Sequence, residues 1–161
     1  MSVAFLVMAF IVTLTAAAPV SACRHRVIRG HMDLFFVNTA SEPGDPGYPI
    51  SSLTWDGKIS GGIKGRMLFW NTLLEFDVPN VGWAHFTEIW QILHHRTGEV
   101  LLQGVDEGYV TPEGRYFMSG EVTIASHQYG RYIGHGVFMF GVIDWVVPLQ
   151  EGTAPGTFLL F

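Results

Sequence analysis

The stretch Trp83-Ala84-His85-Phe86-Thr87-Glu88-Ile89-Trp90-Gln91-Ile92-Leu93-His94-His95 decides the fold class of this chain. Phe86, Trp90 and Ile92 fall on one side of an extended backbone and Thr87, Gln91 and His95 on the other, the period of two that a half-buried strand requires. Arg96-Thr97-Gly98 turns the chain into a second extended run, Glu99 to Val110. Pro112-Glu113-Gly114 turns it again into Arg115 to Ala125, where Phe117, Val122 and Ile124 are available to pack.

Toward the N-terminus, Ile59 to Trp70 carries Gly61, Gly62 and Gly65 before Met67 and Phe69 and reads as one strand coiling round a curved sheet. Arg26 to Val37 sets Met32, Leu34 and Phe36 against Arg29, His31 and Asp33. Between these two runs, Ser41 to Pro49 is too rich in Pro and Gly for a regular element and reads as a long surface loop or lid. Toward the C-terminus, Gly130 precedes a last long strand from Arg131 to Trp145. No helix of more than two turns is indicated, so the class is all-β, a single antiparallel sheet closed into a barrel or folded into a sandwich. Glycines inside the runs, at 61, 65, 104, 108, 120, 134, 136 and 141, favour closure, because a tightly curved sheet needs them and a flat one does not.

Residues 1–22 read as a signal peptide. They contain no charged side chain, and Val3 to Leu14 is apolar except for Thr13, too short to span a bilayer, which needs about 20 apolar residues. The n-region lacks the usual Lys or Arg. Val20-Ser21-Ala22-Cys23 resembles the lipobox of bacterial-type lipoproteins, in which the cysteine becomes the lipidated N-terminus; ordinary cleavage leaving a cysteine is the alternative. Either way the protein is expected to be exported, secreted or anchored at a membrane through Cys23 alone. With a single cysteine no disulfide within the chain forms. Residues 23–161 make one domain of ordinary size. Nine basic and fourteen acidic residues leave a net charge of −5, which offers nothing to nucleic acid or to an anionic membrane.

Trp55-Asp56-Gly57-Lys58-Ile59-Ser60-Gly61, Glu88-Ile89-Trp90, Gln103-Gly104-Val105-Asp106-Glu107-Gly108, Gly130-Arg131 and Ala154-Pro155-Gly156-Thr157-Phe158 together resemble uncharacterised exported proteins of the allene oxide cyclase-like barrel group. The resemblance covers most of residues 23–161. It implies an eight-stranded, calycin-like barrel with a central cavity. It does not imply cyclase activity, since related barrels include cyclases, dirigent proteins and simple binders.

Glu88, between Phe86 and Trp90 on the face expected to point inward, would have a raised pKa and act as acid or base; the alternative is an outward face or a pairing role. Asp106 shares a strand face with Leu102, Gly104 and Gly108 and would form a carboxylate pair with Glu88, unless it organises a bulge. Trp70, Phe86, Trp90, Phe117 and Phe138 are the candidate ligand-contacting walls, and His135 a candidate polar group. The seven histidines are scattered, and His94 and His95 point to opposite faces, so no metal site is expected. Nor is any cofactor: there is no nucleophile elbow and no phosphate loop. Three readings stay open. The domain holds a small apolar or aromatic ligand in its interior; it is a cofactor-free isomerase or cyclase using a cavity carboxylate; or it is a structural envelope protein with a filled barrel, or an oligomer built through exposed aromatic residues.

Overall fold

A computed structural model of the protein describes residues 27–37, 53–76, 84–146 and 151–161; residues 1–22, expected to be a leader, Cys23, and residues 41–49, expected to be a loop or lid, lie outside them. The described chain forms ten strands: β1 (Ile28–Phe36), β2 (Leu53–Gly61), β3 (Gly65–Phe76), β4 (Ala84–Leu93), β5 (Val100–Val110), β6 (Arg115–Ala125), β7 (Gly136–Val142), β8 (Asp144–Val146), β9 (Glu151–Thr153) and β10 (Gly156–Leu160). Neighbours from β1 to β7 pair in sequence order, β10 pairs with β7, and β10 returns to β1 through Ile28↔Leu160 to Met32↔Gly156. The result is a closed, antiparallel, eight-stranded barrel. The short β8–β9 hairpin is added at one rim, touching β1 at Phe35↔Thr153.

Two runs break where the sequence suggests continuity. Ile59 to Trp70 is two strands, because Gly61 takes a φ of 109° that only glycine adopts without strain, and the chain reverses before Gly65. Arg131 to Trp145 is likewise divided: residues up to Tyr132 complete a 3₁₀ turn, His127–Tyr132, and the strand proper starts at Gly136. Closure depends on β10, whose Phe158 and Leu160 are fully buried and whose Thr157 and Leu159 face outward.

One end of the barrel carries the short turns at 62–64 and 94–99 and is filled with apolar side chains, among them Ile63, Ile92, Leu102, Val122 and Leu160. At the other end lie Trp55, Val110 and Tyr116, and the longer connections leave from there. An eight-stranded interior is just wide enough to be filled by side chains or to hold one small ligand. Which of the two applies therefore depends on the side chains at each level.

The outer face is polar in its pairings. Arg66 donates from Nε and Nη2 to the two Asp56 oxygens at 2.8 and 2.5 Å. His85 lies between Glu75 (3.3 Å) and Glu107 (2.7 Å), and these two carboxylates raise its pKa, Glu107 most. Titration of the His85 ring by NMR is expected to show a midpoint above the ordinary value of about 6.5. Glu107→Gln should lower the midpoint further than Glu75→Gln does, and a midpoint at or below the ordinary value in the parent would contradict the bridge.

Candidate functional site

The alternation of β4 points Phe86, Glu88, Trp90 and Ile92 into the barrel. Register does the rest. Glu88 stands directly opposite Asp106 on β5 and opposite Asn71 on β3, and Asp106 stands opposite Gly120 on β6. Directly opposed residues of antiparallel strands have Cα atoms about 4.5–5.5 Å apart, so the three polar side chains form one row across β3, β4 and β5. A bulge between Asn71 and Leu73 keeps Asn71 in this row while shifting the register beyond it. Below the row, Trp90 lies over Gly104, and its ring contacts Phe158 edge-on with centroids 5.7 Å apart. Above it, Phe86 faces Gly108, and Tyr116 donates weakly to the Pro155 and Ala154 carbonyls at 3.3 and 3.5 Å. The large aromatic side chains thus sit opposite glycines on β5.

Three polar residues are buried in this region: Glu88 is 3 % exposed, Asp106 5 % and Asn71 5 %. Both Asp106 carboxyl oxygens, Asn71 Oδ1 and Trp90 Nε1 are buried without a hydrogen-bond partner. Such atoms are rare in folded proteins, because each forfeits its interaction with water and gains nothing in exchange. Burial disfavours the charged form of both acids. It raises the Asp106 pKa to about 8, and burial together with the nearby Asp106 charge raises that of Glu88 well above its ordinary value. Burial, then the Glu88 charge, raises the Tyr116 pKa as well. A pair of opposed, desolvated carboxyls holds a proton at neutral pH, which equips it to donate a hydrogen bond or to exchange a proton with a bound molecule.

Of the residues proposed from sequence, Glu88, Asp106, Phe86 and Trp90 come together inside the barrel. Trp70, Phe117 and Phe138 do not: by strand parity they point outward. Trp70 pairs with Ile89, the Phe117 ring lies 5.5 Å from exposed Tyr109, and that of Phe138 lies 5.6 Å from Phe140. These three aromatic residues stand one position away from inward neighbours, and with both strand faces apolar the pattern does not say which is inside. His135 precedes β7 at the opposite end of the barrel, where Nδ1 bonds the Phe161 carbonyl and the ring packs against Tyr132. It is not an interior group. Sequence reasoning missed Asn71 and Tyr116. Each stands next to an aromatic residue, Trp70 or Phe117, that was expected to point inward, so parity put Asn71 and Tyr116 on the outside.

Comparison of the chain with protein-family models, with curated proteins and with solved structures finds no match in any of the three.

Proposed function

We propose that the barrel binds a small ligand with an apolar or aromatic body in the half of its interior above Trp90, with Phe86 and Trp90 as walls and the Glu88–Asp106 pair as the polar contact. The observation that carries this reading is Asp106, a buried carboxyl group with two unpartnered oxygens directly opposite a second buried acid. A barrel that served only as a structural element would be more stable with apolar residues of similar volume at these positions. Retaining two acids in the interior makes sense where a ligand meets them. With residues 1–22 read as a signal peptide, we propose that this binding takes place outside the cytoplasm.

The raised proton affinity of both acids favours a second reading, a cofactor-free isomerase or cyclase in which one carboxyl donates a proton and the other accepts one. The same chamber would then fold and orient the substrate.

Native mass spectrometry of the purified protein tests the first reading. A co-purified small molecule is expected, retained by the parent and lost from Asp106→Leu, whose apolar replacement keeps the interior filled. A parent that carries no molecule and gains no thermal stability from a panel of aryl alcohols and aryl amines would overturn it.

A further inference from the structure

The unmatched polar atoms of the interior are unequal in kind. In the row itself, Asn71 Oδ1 and, once the carboxyl ionises, both Asp106 oxygens are acceptors, whereas the neighbouring Trp90 Nε1–H is a donor. The charges are unequal as well. Glu88 on β4 and Asp106 on β5 face the row, with the Tyr116 hydroxyl from β6. The inward positions of β1, β2, β7 and β10 are apolar residues or glycines, and β3 adds Asn71. Among the described residues no Lys, Arg or His points into the barrel. Two acids therefore stand in an apolar interior with no cation beside them, Glu88 flanked on β4 by Phe86 and Trp90 and Asp106 on β5 by Gly104 and Gly108.

Building on the ligand-binding reading above, we propose that this interior site selects small amines, seating a primary ammonium against Asp106, Glu88 and Asn71 and the apolar body of the ligand against Phe86 and Trp90. An ammonium group brings three N–H donors, the number of unpartnered acceptor oxygens in the row, and supplies the missing positive charge. Aromatic side chains bordering a desolvated cation add attraction that an aliphatic lining would not. A neutral alcohol brings one donor and no charge. A bare divalent cation would find too few ligands: Ca²⁺ takes about six to eight oxygens, and among the described residues no group of three or more His, Cys, Asp or Glu gathers. Entry of the ammonium expels a proton from the carboxyl pair to solvent, so that the cation meets a carboxylate.

Isothermal titration of the purified protein with 2-phenylethylamine, 2-phenylethanol and 3-phenylpropionate separates these cases. The amine is expected to bind about 30-fold more tightly than the alcohol near pH 8, the equivalent of one charge-assisted hydrogen bond. Its affinity should rise as the pH approaches about 8, where Asp106 ionises. Titrations near pH 6.5 in two buffers of different ionisation heat should show about one proton released per amine bound, falling as the pH approaches about 8, as linkage to a protonated acid requires. The propionate should not bind. Asp106→Asn, which keeps size and shape, should bring amine and alcohol to within about threefold of each other, and Asn71→Leu should weaken the amine selectively. Equal binding of amine and alcohol, or an amine affinity indifferent to pH, would overturn the ammonium preference and leave the binding barrel intact. Calcium chloride titrating into the parent and not into Asp106→Asn would overturn it in favour of a metal site. Absence of heat from all three organic probes would overturn both readings.

Discussion

Stability is expected to fall as the pH is raised from about 4 to about 8, the reverse of ordinary acid denaturation. The Asp106 carboxyl has a pKa of about 8 when folded and, once unfolded, the ordinary value near 4. Below the unfolded value both states are protonated, and the full contribution is present. Between the two values the folded chain holds a proton that the unfolded chain has released, so each pH unit weakens folding by roughly 1.4 kcal/mol. Above the folded value the loss is complete and levels off. Across the window the acid pair weakens folding by several kcal/mol, a large share of the roughly 5–15 kcal/mol that usually separates folded from unfolded chains. Glu88 is shifted in the same direction by burial and by Asp106, and adds to the slope. Urea denaturation near pH 5 and near pH 8.5 measures the difference. Asp106→Asn should match the parent at the lower pH, exceed it clearly at the higher, and flatten the dependence between them. A parent equally stable at both would mean that the acids are ionised and hydrated in the folded state.

Gly104→Ala is the second change with a large expected effect. A Cβ at position 104 would lie 2.2 Å from Trp90 Cζ2 and 2.3 Å from the Glu121 carbonyl oxygen. The ring is fully buried between β5 and Phe158, and the carbonyl belongs to the paired strand β6, so neither neighbour yields easily. Overpacking of a rigid interior commonly costs about 1–3 kcal/mol, and a clash with ring and backbone together should reach or exceed the top of that range. Thermal unfolding should show a Tm lowered by about 6–12 °C, at about 2–4 °C per kcal/mol for a chain of this length. Gly130→Ala is the matched control: nothing lies within 4 Å of its added carbon, and its Tm should stay near that of the parent. In a double-mutant cycle Trp90→Leu should cost less in the Gly104→Ala background than in the parent, because it removes one of the two clashes while the Glu121 carbonyl remains. A Gly104→Ala protein as stable as the parent would show that β5 stands farther from β6 than the barrel requires.

The same clash explains why glycine recurs along β5. Gly104 and Gly108 face Trp90 and Phe86 across the β4–β5 pairing, and the aromatic side chains occupy the space that a side chain on β5 would need. The glycine–aromatic complementarity that suggests a curved sheet also packs the interior around the acids.

Much of this was legible without coordinates. The alternation of Trp83 to His95, the turns at Arg96-Thr97-Gly98 and Pro112-Glu113-Gly114, and the glycines within strands determined an all-β antiparallel class and favoured closure, because side-chain period and turn chemistry are local properties. The same alternation placed Glu88 between Phe86 and Trp90 on one face. Parity likewise put Asp106 with Gly104 and Gly108. What the sequence could not decide was pairing between strands remote in the chain and the choice of face where both are apolar. Closure through β10 depends on hydrogen bonds between Ile28–Met32 and Gly156–Leu160, which no local pattern encodes. Trp70, Phe117 and Phe138 are as apolar as their inward neighbours, so only the register of the closed sheet assigns them to the outside. The opposition of Glu88 to Asp106 and Asn71 is likewise a product of register across three strands, including a bulge after Asn71. Burial without partners, and the raised proton affinity that follows, exist only once the barrel has closed around those groups and excluded water.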